Sequence, residues 1–195
     1  MYRKEVSIKI IIVVIVAAAI LIVPSSVLQL SHAQMDQTTI LDMHNQERAL
    51  VKVPVPIPPL VWSNNLANGA QKWANHLATL GLRCDPDPIG CSGFPPHDPN
   101  IRNVLGENLW MGGTGFYPTA QQVQSWINEK SNYVPGTPIK NWQPGDPVTG
   151  HYTQMVWRNT YEIGCAASTG TPPSNVDFLV CRYNTPGNFL GQLPY

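Results

Sequence analysis

Two stretches decide the fold: GHYTQMVWRN at residues 150–159 and FLVCRYNTPGNFLGQ at residues 178–192. In the first, Val156 and Trp157 read as the start of a strand. Beyond them, residues 163–167 and 178–183 are short apolar runs of β character, separated by a turn with Gly170, Pro172 and Pro173. Toward the N-terminus a helical period takes over. From near Thr119, the residues Val123, Trp126, Ile127 and Tyr133 form one stripe, and before it Leu109-Trp110-Met111 reads as a strand closed by Gly112-Gly113. Ser63 is placed to cap a helix with Leu66, Ala70, Trp73 and Leu77 on one side and Gly81 at its end. Residues 38–51 carry Ile40, Met43, Leu50 and Val51 at helical spacing, with Thr38 or Thr39 as cap. The prolines of KVPVPIPP (52–59) forbid continuation and predict an extended surface segment. Helices first and strands later indicate an α+β domain with an antiparallel sheet.

Twelve Lys and Arg balance twelve Asp and Glu over 195 residues, which argues against a polyanion partner, so no nucleic acid is expected. The N-terminus differs in character. Arg3, Lys4 and Lys9 precede an unbroken apolar run at residues 10–23, which Pro24 ends and the small-residue step Ser31-His32-Ala33 follows. That run is short for a membrane span, which needs about 20 apolar residues, and it fits a secretory signal at residues 1–33, cleaved after Ala33. The alternative keeps it as an uncleaved anchor and the only membrane contact. Either way the domain, residues 34–195, is expected outside the cytosol: secreted, or extracytoplasmic and tethered. Its 162 residues suffice for one domain that buries roughly 70% of its unfolded surface.

Export gives Cys84, Cys91, Cys165 and Cys181 a structural reading, because four thiols without CxxC spacing suit two bridges in an oxidising compartment. Three pairings are possible. Cys84–Cys91, closing a short loop, and Cys165–Cys181, joining two strand-like segments, are favoured and would stabilise by about 2.5 and 3 kcal/mol.

Glu129 is the first mechanistic clue. It falls three residues after Trp126 and four before Tyr133, so its carboxylate stands beside the apolar stripe of its helix. A carboxylate directed toward a core requires a cation, a metal or hydrogen-bond donors. Otherwise it lies at the edge of the stripe and meets solvent or Lys130.

Taken with HNQER (44–48), PPLVW (58–62), GENLW (106–110) and the Trp126-Glu129-Tyr133 pattern, the two opening stretches closely resemble the signature motifs of the CAP superfamily. That superfamily comprises cysteine-rich secretory proteins, antigen 5 and pathogenesis-related proteins of group 1. The resemblance implies an α-β-α sandwich with a three- to four-stranded antiparallel sheet, and a central cleft lined by two histidines and two acids. Carried over, these are Glu107 of GENLW, Glu129, His151 of GHYTQ and, in the loop before Glu107, His97. His97 is followed by Asp98 where relatives often have Ser, and a shorter loop spacing would put Arg102 there instead. Thr185 also replaces a proline of the family's last motif.

Two neutral imidazoles and two carboxylates are a donor set for a divalent cation such as Zn2+, with His97 and His151 as ligands and Glu107 and Glu129 as additional ones. There is no HExxH, so such a site rests on distant residues converging. Without metal, the same four form a polar hydrogen-bonded cluster. His44 reads as a structural helix contact, His76 as a partly exposed helix residue, and His32 leaves with the signal. As an enzyme, the chain would be a metal-assisted, protease-like hydrolase whose catalytic tetrad is His151, Glu129, Glu107 and His97. No GxSxG elbow supplies a nucleophile. As a binding protein, it would take a sterol, lipid or peptide against Trp110, Tyr117, Trp142 and Tyr152. As a cell-surface interaction module, it would need no ligand.

Overall fold

The computed structural model describes residues 35–84, 91 and 94–195. The expected export signal therefore lies outside the described residues. Helix α1 (Gln37–Leu50) is capped by Asp36, whose Oδ1 accepts from the Thr39 amide at 3.1 Å. The cap thus lies upstream of the threonines expected for it, and Thr39 is its donor. Helix α2 (Asn64–Ala78) is capped by Ser63 as read, and Gly81 follows it with φ +66°. After α2 come strand β2 (Gly106–Gly113), helix α3 (Thr119–Asn128), the short helix α4 (Gly150–Met155) and strands β3 (Glu162–Thr169) and β4 (Val176–Asn184). A two-residue strand, β1 (Val61–Trp62), precedes α2.

The sheet order is β1-β3-β4-β2. Both long pairings are antiparallel, but β1 runs parallel to β3, so the sheet is mixed and the purely antiparallel expectation is corrected. The cause is the proline strap. It delivers residues 61–63 alongside β3 in the same direction, where Val61 N–H reaches Tyr161 O at 2.9 Å and Ser63 N–H reaches Ile163 O at 2.8 Å. Val156 and Trp157 do not open a strand either. Their amides close the end of α4 on Tyr152 O and Gln154 O at 3.1 and 3.2 Å, and both side chains are buried.

Strand β4 is buried along nearly its whole length because helices cover both faces of the sheet. Its Val176, Phe178 and Val180 meet Ala70, Ala74 and Leu77 of α2. On the other face Leu179, Cys181 and Tyr183 meet Ile40 of α1 with Val123, Trp126 and Ile127 of α3. This is the expected α-β-α sandwich. Gly164 of β3 allows the close approach of α2, since a Cβ there would overlap the backbone of Ala67 and Ser63. The disulfides pair as favoured, Cys84–Cys91 and Cys165–Cys181, the second between directly opposed residues of β3 and β4.

Candidate functional site: two carboxylate-held imidazoles

Helix α3 tightens into a 3-10 turn, Glu129–Asn132, which turns Glu129 toward the start of α4. There the carboxylate performs two tasks. Its Oε2 accepts the backbone amides of His151 and Tyr152 at 2.9 and 3.2 Å, and Oε1 takes His151 Nδ1 at 2.5 Å. Helix α4 has no side-chain cap of its own at Thr149, so Glu129 supplies that function from another helix. A carboxylate only accepts, so Nδ1 of His151 carries a proton, and the neutral form of the ring would have its lone pair on Nε2. Trp126 stacks against the ring at 5.9 Å and 18°, and its own Nε1 donates to Leu109 O at 3.3 Å. The partner that the stripe required for Glu129 is therefore His151. Lys130 pairs instead with Glu47 of α1 at 2.8 Å.

The second pair is built the same way. His97 Nδ1 donates to Glu107 Oε1 at 2.9 Å, and the Asp98 amide joins it at 3.0 Å. The Glu107 side chain is only 3% exposed against 63% for His97, so the acid stands behind the imidazole. Arg102 follows the 3-10 turn Pro99–Ile101 and is exposed; the side chain that reaches Glu107 from this loop is His97. Asp98 is itself held. Its Oδ2 receives Arg182 Nη2 at 2.6 Å, and Oδ1 receives the amide and side chain of Asn100, both at 2.9 Å. Burial raises its pKa, but the Asn100 and Arg182 donors together lower it by more, and the carboxyl ends below the usual aspartate value.

His97 and His151 line one cavity of about 710 Å³, together with Leu109, Ile139, Trp142 and Leu190. A neighbouring cavity of about 550 Å³ is lined by His151 and Glu129 with Trp110, Tyr117 and Phe94, so the His151 ring borders both. Three of the four aromatics expected at a ligand surface are found in these walls. Tyr152 is not, being 2% exposed and packed against Tyr133. Among the described residues, no group of three or more His, Cys, Asp and Glu is arranged to hold a metal ion. The oxygens of Glu107 and Glu129 face protein donors, so of the four residues read for a metal site the two imidazoles are the donors an ion would meet.

His44 has the structural part read for it. It is fully buried, with Nδ1–H on Ile40 O at 2.7 Å and Tyr183 O–H donating to Nε2 at 2.9 Å. Burial lowers its pKa to about 4, and the nearby Arg48 charge adds to that. In the same motif the buried Arg48 guanidinium donates to the carbonyls of Pro58, Met155, Trp157 and Thr160 at 2.7–3.0 Å, tying the proline strap to the end of α4. Sequence reasoning missed Arg48, Asp98 and Arg182. His97 being followed by an acid was the available signal for Asp98.

Fold and site define a disulfide-bonded α-β-α domain in which two histidines, each held by a carboxylate, border one cavity. The chain belongs to the cysteine-rich secretory protein (CAP) family, whose model matches residues 41–183. It is 36% identical over 166 residues to pathogenesis-related protein 1B of Nicotiana tabacum, covering 85% of this chain and 84% of that one. To peptidase inhibitor 15 of Homo sapiens it is 33% identical over 180 residues, 84% of this chain and 62% of the relative. Among solved structures, Schistosoma mansoni venom allergen-like protein 4 matches at 27% identity and a TM-score of 0.52, over 82% of this chain and 92% of that one. NaASP2 with Zn2+ matches at 23% identity and a TM-score of 0.60, over 86% and 88% of the two chains, a likeness of fold alone.

Proposed function

We propose that this is an exported CAP domain whose cleft binds a divalent metal, Zn2+ by the chemistry of its donors, together with an apolar or peptide ligand in the adjoining cavities. The observation that carries this reading is that both imidazoles facing the 710 Å³ cavity are held through Nδ1 by a carboxylate. Metal-binding histidines have this arrangement, in which the outer carboxylate fixes the tautomer and raises the basicity of the ligating nitrogen. His97 and His151 would hold the ion, and Glu107 and Glu129 would orient them. Two protein ligands leave positions for ligand groups. When bound, zinc supplies Lewis acidity toward a ligand carbonyl or carboxylate oxygen. A relative by fold, NaASP2, has been solved with Zn2+. Mostly apolar walls with Trp110, Trp142 and Leu190 suit a sterol, an acyl chain or apolar peptide side chains. Two disulfides and the N-terminal signal reading support an extracytoplasmic place of action.

Binding is favoured over hydrolysis because Glu129, the acid nearest His151, already accepts three hydrogen bonds and is committed to holding α4. Titration calorimetry with ZnCl2 tests the metal reading: His97→Ala and His151→Ala are each expected to weaken binding by at least tenfold. Unchanged affinity in both variants would remove it. Retention of a labelled sterol or fatty acid through gel filtration tests the apolar ligand.

A further inference from the structure

His97 stands in an irregular connection, its side chain largely exposed, and one carboxylate touches its ring. A metal ligand so placed needs an anchor, and the arrangement behind it supplies one. Glu107 of β2 and Arg182 of β4 are direct partners in the strand register, on the sheet face covered by α2. Glu107 Oε2 and Arg182 Nε are both buried without a hydrogen bond and face each other at 3.4 Å as an ion contact. The far end of the guanidinium bonds Asp98 Oδ2 at 2.6 Å, and Asp98 is the residue next to His97. On the other side of His97, Pro96 O accepts Trp73 Nε1 from α2 at 3.0 Å. One rigid guanidinium fork therefore joins the strand that carries Glu107 to the loop that carries His97, which a lysine could not do at both ends. Helix α2 passes over this fork at Gly69, where a Cβ would stand 2.7 Å from Arg182 Nη1.

We propose that Arg182, through Asp98 and Glu107, is the positioning residue that holds His97 in the cleft, and that the missing side chain at Gly69 makes room for it. This rests on the metal reading above, so the test has one readout that needs no metal. In metal-free protein, hydrogen exchange at the Asp98 amide, which is bonded to Glu107, reports the clamp directly. Arg182→Gln is expected to accelerate that exchange and weaken zinc binding by 10- to 100-fold, the usual effect of losing an outer partner of a metal ligand. Arg182→Lys is expected to recover little of either. In a His97→Ala background Arg182→Gln should cost no further zinc affinity, which distinguishes positioning from general damage. Should Arg182→Gln fail to fold, Asp98→Asn and Gly69→Ala carry the test. Gly69→Ala is the sharper of the two, since it favours the helix yet is expected to lower zinc affinity severalfold by displacing the guanidinium. The proposal is overturned if Asp98→Asn and Gly69→Ala leave both amide exchange and zinc affinity unchanged while His97→Ala weakens zinc. If His97→Ala leaves zinc binding intact, the metal reading fails, and faster Asp98 exchange in the variants still supports the clamp.

Discussion

Acidification should weaken this fold through one buried ring. His44 is fully enclosed between Ile40, Tyr183 and Trp126, and burial holds its pKa at about 4 against 6.5 for a free histidine. In the unfolded chain the ring takes up a proton near pH 6.5; in the native protein it does so only near pH 4. Between those values the unfolded state holds one more proton, so stability falls as pH falls. Above the window the ring is neutral in both states, and below it charged in both, so the contribution is complete at neutral pH and gone at the lower limit. At about 1.4 kcal/mol per pH unit, the span comes to about 3 kcal/mol. Native protonation would also turn Nε2 into a donor facing the Tyr183 hydroxyl and place a second cation beside Arg48. Urea unfolding of the protein and of His44→Gln, followed from about pH 7 to pH 4, isolates this term because every other titrating group is shared. The stability gap between the two should narrow by about 3 kcal/mol across that range. Parallel pH profiles would refute the reasoning.

Two further substitutions test how the framework is held. Arg48→Met strips the donors from four main-chain carbonyls and should cost about 3–5 kcal/mol in urea unfolding, far more than an exposed arginine; a loss below about 1 kcal/mol would show the carbonyls find other partners. Gly164→Ala forces the first turn of α2 away from the sheet, with an expected loss of about 1–3 kcal/mol seen as a lower Tm, and an unchanged Tm would mean the layers part without cost.

Much of the framework was legible because it is written in local patterns. Leu66, Ala70 and Leu77 recur at the helical period and do face the sheet, while Trp73 from the same reading is only half-buried and turns its indole nitrogen to Pro96. The β runs before and after the turn with Gly170 and the prolines became β3 and β4, and the cysteines within them became opposed partners. Glu129 shows how far periodicity reaches. Its place beside an apolar stripe required a partner, yet only the three-dimensional arrangement identifies that partner as the ring and amides of α4. Strand β1 had no local signal, since two residues pair only because the proline strap lies beside β3. Val156 and Trp157 misled for a related reason: an apolar pair is equally at home in a strand or at the buried end of a short helix, and here the helix claimed their amides. Arg182 was hidden in an apolar run, and nothing nearby in the chain marks it as the counter-charge to Asp98, 84 positions earlier.

That Glu129 ends one helical segment and begins another has a bearing on how a guest would be received. The imidazole at 151 is held at its Nδ1 edge by this acid and on one face by an indole before anything enters the hollow. Its aim is settled when the chain folds, so the binding proposed for that wall would call for little reordering of the scaffold.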